Sequence, residues 1–200
     1  GVLFLDELPE FPRKVLEVLR EPLESREIMI SRVNAQTRFP ANFQLIAAMN
    51  PCPCGFLGSN RCRCTPDQVR RYKDKISGPL LDRIDLQVEV PHLPSDKLIQ
   101  HKIDGESSVQ IYLRIKTARQ NQQNRAKKLN ALMSNQEVME HCSLDSEMKD
   151  LLNRAIQKLG LTARGFHRVL KVARTIADLE NNETLDAAHV SEALGYRLSS

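Results

Sequence analysis

Three groups of side chains in this sequence could do chemistry. The first is the pair Asp6-Glu7, which follows the apolar run Val2-Leu3-Phe4-Leu5. One carboxylate there can hold Mg2+, directly or through water, beside the phosphates of a nucleotide. Its neighbour can orient and activate an attacking water. The same residues also suit an ordinary strand-to-helix turn with acidic side chains near a helix start. The second group is four cysteines in two pairs, Cys52-x-Cys54 and Cys62-x-Cys64; a fifth, Cys142, stands alone. Four thiolates from a loop rich in turn formers can make a tetrahedral Zn2+ site. Cys-x-Cys is tighter than the usual Cys-x-x-Cys knuckle, and four reduced cysteines in a surface loop are the plain alternative. No secretion signal is visible, which disfavours disulfides and points to the cytoplasm. The third group is basic. Arg61, Arg63, Arg70, Arg71, Lys73 and Lys75 fall in one segment, and Arg114, Lys116, Arg119, Arg125, Lys127 and Lys128 in another. With a net charge of +4, both a DNA-binding role and two solvated faces account for them.

These groups need elements to position them. Val2–Leu5 reads as a short strand buried on both faces, as in a parallel sheet, where ligands bind at the carboxyl ends of strands. A second buried strand, Phe43–Met49, ends in Asn50-Pro51. An amide there can hydrogen-bond a phosphate or a water, or can simply serve a turn. Between the strands the pattern predicts a helix from about Pro12 to Arg20, stopped by Pro22, and a hairpin over Glu27–Phe39 with its tip at Val33-Asn34-Ala35. Thr65 and Pro66 mark a helix start, with the helix running to about Ile76 and broken by Gly78-Pro79. Strict alternation over Ile84–Val90 predicts a half-buried strand near a sheet edge. Pro91 and Pro94 mark a linker, and five helices are expected beyond it: Ser107–Ala126, Asn135–Cys142, Leu144–Leu159, Ala163–Leu179 and Leu185–Arg197. On the fourth, Phe166, Val169, Leu170, Ala173, Ile176 and Ala177 share one face, and Arg164, Arg168, Lys171 and Thr175 lie opposite. The expected fold class is α/β, with part of a parallel sheet over 1–94 and an all-helical domain over 95–200. No apolar run is long enough to span a bilayer.

Taken in order, the strings GVLFLDELPEF, LIAAMNPCPCG, CRCTPDQVRRY, ISGPLLDRIDLQVEVP and LTARGFHRVLKVARTIADLE resemble the AAA+ ATPases of the magnesium-chelatase and MCM-helicase clade. Within it they are most similar to the magnesium-chelatase-like ComM/YifB family. The resemblance implies a partial AAA+ core, 1–94, followed by a helical lid, 95–200. It makes Asp6-Glu7 a Walker B motif, with Asp6 on Mg2+ and Glu7 the base for water. It makes Asn50 sensor 1, Arg83 the arginine finger given to a neighbouring subunit, and Arg164 sensor 2, with Arg168 as second choice. The hairpin tip, Arg32 to Asn34, would line a ring's pore and touch DNA. ATP and Mg2+ are the implied cofactors, and a homo-hexamer and DNA the implied partners. The implied activity is ATP-driven DNA translocation or branch migration. A metal-insertion motor of the magnesium-chelatase type is the rival, and an ATP-dependent protease a weaker one, because no Ser-Lys or Ser-His-Asp arrangement stands out.

The sequence starts inside a motif, so it is expected to be a piece of a longer protein, with an open sheet edge prone to self-association. It holds no G-x-x-x-x-G-K-[ST] phosphate loop, and without that cradle nucleotide phosphates lack their backbone donors and lysine. The 200-residue chain is therefore expected to bind ATP weakly or not at all and to hydrolyse none. Calorimetric titration checks this, and micromolar affinity would contradict it.

Overall fold

The computed structural model describes residues 1–32, 35–91 and 105–197. Two compact units separate, Gly1–Ile84 and Asp85–Ser200, and each is described by itself.

In the first unit, β1 (Val2–Leu5) pairs in parallel with β4 (Gln44–Ala47), from Val2 opposite Gln44 to Leu5 opposite Ala47. A 3-10 turn over Leu8–Glu10 leads into α1 (Arg13–Val18) and α2 (Arg20–Ser25). Leu8, Leu16, Ile76 and Leu80 form the buried cluster, with Leu5, Phe11, Leu19, Leu23 and Leu81 packed on it. Burial on both faces of β1 is not what is observed. Leu3 and Leu5 are half-buried, whereas Val2 is 65% and Phe4 59% exposed. Only one side of the strand faces the described helices, so its alternation matters more than its continuous apolarity. Pro22 does not stop a helix either. It occupies the first turn of α2, where a missing N–H leaves no hydrogen bond unmade. The hairpin forms as expected, with β2 (Glu27–Arg32) antiparallel to β3 (Ala35–Pro40) and Arg32 opposite Ala35.

Beyond β4 a long loop reaches α3 (Pro66–Lys73). Thr65 caps that helix through a capping box with Gln68. Gly78-Pro79 begins a short helix, α4 (Gly78–Leu81), with Ser77 as its N-cap. The same proline that forbids a helix interior fits a helix start. The alternating run Ile84–Val90 makes no strand. No described strand pairs with it, and a ladder without a partner has nothing to hold it. Leu86, Val88 and Val90 are exposed. The Gln87 N–H instead donates to the Tyr196 carbonyl at 2.9 Å. The expected linker at Pro94 lies outside the described residues.

The second unit is helical: α5 (Ser108–Ala126), a 3-10 turn at Asn130–Leu132, α6 (Asn135–His141), α7 (Ser146–Leu159), α8 (Ala163–Leu179) and α9 (Ala187–Gly195). Its core is one cluster. Met148, Leu152 and Ala155 of α7 meet Val169, Leu170, Ala173, Ile176 and Ala177 of α8, with Val190, Ala193 and Leu194 of α9. Cys142 lies in this core, and burial pushes its thiol up to about 11, so it packs as a small apolar group.

A charged knot runs through this core. Asp178 and Arg174 are each 1% exposed. Arg125 donates to both oxygens of Asp178, at 2.7 and 2.8 Å, and Asn130 Nδ2 donates to Oδ2 at 2.8 Å. Arg174 sits 3.2 Å from Asp178 and donates to the carbonyls of Asn182 and Glu183. Burial pulls the Arg174 pKa below its ordinary value, against the attraction of Asp178. Removing one partner of a buried ion network strands the others. Asp178→Asn is expected to cost the second unit about 3–5 kcal/mol, read as a loss of stability in urea unfolding.

Candidate functional site

The site is built where β1 and β4 end together. The ladder continues one step past the strands. The Ala48 N–H donates to the Leu5 carbonyl at 2.9 Å, and the Leu8 N–H donates to the Ala48 carbonyl at 3.0 Å. Asp6 and Glu7 are therefore looped out between two residues that both grip Ala48, and Asn50 lies two residues further along the other strand. All three are exposed, as groups that meet a ligand must be. The Glu7 N–H donates to Asp6 Oδ1 at 2.9 Å. Glu7 has φ 50, a left-handed backbone at a non-glycine residue. Such backbone costs on the order of 1–2 kcal/mol and is held by its surroundings. Here those are the Ala48 bonds and the Glu10 N–H, which donates to the Glu7 carbonyl at 2.8 Å.

Tyr72 of α3 joins this site, although its sequence context suggested no role. It is 6% exposed, and its phenol lies close to the backbone of Asn50. Burial first, then the nearby charges of Glu10 and Glu7, raise its pKa, which keeps it a neutral phenol. Lys75 Nζ lies 3.4 Å from Glu10 Oε1 and 5.7 Å from the Tyr72 ring centre. The available signal was helical spacing: Val69, Tyr72 and Ile76 share a face, and a tyrosine there carries a polar tip that needs a partner.

The four cysteines of the following loop come together as well. Sγ–Sγ distances are 3.5 Å for Cys52–Cys54, 3.9 Å for Cys52–Cys62 and 3.7 Å for Cys54–Cys62, and all four sulfurs lie within 4.8 Å of one another. Cys52 is fully buried and the other three half-buried. Backbone hydrogen bonds from Arg63 and Phe56 bring the Cys54 thiol down to about 6. Its hydrogen bond to Cys54 is the first of the influences that push Cys64 up to about 12.

The arginines are placed as follows. Arg83 follows α4 and its side chain is 10% exposed. It donates to Glu24 Oε2 at 2.5 Å, the Pro79 carbonyl at 2.7 Å and the Arg20 carbonyl at 3.1 Å. Arg164 and Arg168 belong to the second unit. Arg164 is exposed in the first turn of α8, and Arg168, one turn on, pairs with Asp85. Arg32 is exposed at the end of β2, and Asn34 lies outside the described residues. Asp6, Glu7 and Asn50 are thus brought together within the first unit. Tyr72→Phe should test what holds Asn50. Removing the phenol oxygen beside the Asn50 backbone is expected to quicken hydrogen exchange at the Asn50 amide.

Comparisons with known proteins match this architecture. Residues 1–98 match the family described as magnesium chelatase, subunit ChlI, and residues 105–197 match magnesium chelatase, subunit ChlI C-terminal. The chain is 50% identical over 197 residues to the Competence protein ComM of Haemophilus influenzae, covering 98% of this chain and 39% of that protein. It is 48% identical to the YifB protein of Salmonella typhimurium, with the same coverage. To the Rv2897c protein of Mycobacterium tuberculosis it is 37% identical over 201 residues, covering 98% of this chain and 40% of the relative. The chain spans about two fifths of the length of these relatives. Two family matches that divide nearly the whole sequence between them, and relatives sharing up to half its residues, agree: the chain belongs to the magnesium-chelatase-like family of AAA+ ATPases, in its ComM/YifB branch.

Proposed function

We propose that this chain supplies the water-activating and lid segments of a ring-forming ATPase that couples ATP hydrolysis to movement along DNA, as in branch migration. The observation that carries the ATPase reading is the parallel pairing of β1 and β4, whose carboxyl ends lead directly into Asp6-Glu7 on one side and Asn50 on the other. Asp6 would hold Mg2+, which neutralises charge on the β- and γ-phosphates. Glu7 would take the proton of the attacking water, and Asn50 would orient that water or the γ-phosphate.

Two arginines would complete the charge stabilisation. Arg164 sits where the amino end of α8 adds its own partial positive charge, a favourable place for a phosphate. Arg83 would act on the nucleotide of a neighbouring subunit. To do so it must give up Glu24, so its engagement costs an ion pair that the isolated chain keeps. The hairpin, with Arg32 near its tip, would face DNA in the ring's pore, within a homo-hexamer. The DNA part of this reading rests on the resemblance to the ComM/YifB branch and on a relative named as a competence protein.

A second reading is a metal-insertion motor, favoured by the family descriptions, which name a magnesium chelatase subunit. ATP turnover by a polypeptide of the relatives' full length separates the two. Stimulation by DNA supports the first reading, and turnover indifferent to DNA contradicts it. In that polypeptide Glu7→Gln is expected to slow hydrolysis by about 10²–10⁴ while ATP still binds. Arg83→Ala is expected to cost about 10³–10⁵ and to be rescued in mixed rings by subunits that keep Arg83.

A further inference from the structure

We propose that Cys52, Cys54, Cys62 and Cys64 bind one Zn2+ in a mononuclear tetrahedral site, and that this ion fixes the loop that positions Asn50. The distances carry the first half. A Zn–S bond of about 2.3 Å in a tetrahedron puts sulfurs about 3.8 Å apart. The three measured separations, 3.5, 3.7 and 3.9 Å, straddle that edge. They are far beyond a disulfide bond of about 2.0 Å. They are also too close together for a bridged iron–sulfur cluster, in which thiolates bind different iron atoms.

The loop itself argues for a metal. It connects β4 to α3 with no helix or strand of its own, longer than the roughly 12–15 residues usual for such segments. It has almost no apolar core: Cys52 is its one fully buried side chain, and Leu57 is 41% exposed. Turns close it at Gly55, Ser59 and Cys62, each donating its N–H to the carbonyl of the residue three before it. Gly55 and Gly58 take φ 79 and 83, where side chains are strained. Four thiols gathered at the centre of such a loop repel once ionised, and a divalent cation turns that repulsion into attraction. Arg61, stacked on Phe56 at 4.3 Å, and Arg63 bring positive charge to a centre that would carry a net double negative charge.

The second half follows from placement, and it rests on the reading of Asn50 given above. Cys52 is two residues from Asn50. The Asn50 amide oxygen would lie 3.9 Å from a Cβ on Gly55, in ordinary contact with the metal loop. Tyr72, from the helix that the loop feeds, lies beside the Asn50 backbone. The ion would act as a positioning element, outside the reaction, that keeps Asn50 beside Asp6 and Glu7.

Metal analysis of the chain purified without chelators tests the site directly. One zinc per chain is expected; no metal, one iron, or cysteines isolated as disulfides would overturn it. Co2+ added to the chain stripped of metal should give the visible bands of tetrahedral thiolate coordination, saturating at one equivalent and displaced by Zn2+. Cys54→Ser with Cys62→Ser should lose both. Hydrogen exchange tests the positioning. Removing zinc should strip protection from 50–65 and leave the helices of the second unit unchanged, whereas no change at Asn50 would overturn the coupling. None of these readouts depends on ATP or DNA, so failure of the proposed motor function would leave the zinc result standing.

Discussion

Two backbone hydrogen bonds to one residue, Ala48, govern the first unit. Leu5 accepts from it and Leu8 donates to it, so the peptide units of Asp6 and Glu7 have no room in the ladder and must arch outward. That arch presents both carboxylates at the carboxyl edge of the sheet. The same strand that supplies Ala48 runs on to Asn50. A parallel pairing with this register is sufficient to bring Asp6-Glu7 and Asn50, more than forty positions apart in the chain, to one edge of the sheet. An antiparallel pairing, or a shift by one residue, would turn them to the other face or the other end.

The helical unit solves a different problem. Its apolar face is ordinary, but its centre contains a fully buried aspartate and arginine. Charges so placed contribute little net stability compared with apolar packing, yet are costly to leave unmatched. Arg125, Asn130 and the carbonyls of Asn182 and Glu183 surround them. The knot ties α5, the turn before α6 and the end of α8 together, because Asp178 accepts from Arg125 and Asn130 and is paired with Arg174.

Much of this was legible in the residues. Thr65-Pro66 and Ser107 announce helix starts because capping is local chemistry, and the apolar spacing of α8 matches its buried face. Asp6, Glu7 and Asn50 could be placed because strand ends are easy to find. What escaped was non-local or conditional. Pro22 and Pro79 read as breakers, yet a proline in a first helical turn is a starter, and only the neighbouring cap decides which. The alternation of Ile84–Val90 states a preference for a strand, but a strand exists only where another offers its hydrogen bonds. Tyr72 and the knot around Asp178 join residues far apart in the chain: Arg125 and Asp178 differ by 53 positions. Spacing rules reach one or two helical turns and no further.

The backbone at Glu7 sets folding against chemistry. A left-handed residue chosen for ease of folding alone would be glycine, or asparagine, which tolerate that region. This position carries a longer, ionised side chain, and the surrounding ladder restrains it in a conformation it would leave if released. Any loosening of the grip on Ala48 would let the arch relax, and the carboxylate would swing away from the sheet's end. The placement of these carboxylates, on which the proposed chemistry would depend, is therefore only as durable as two backbone hydrogen bonds.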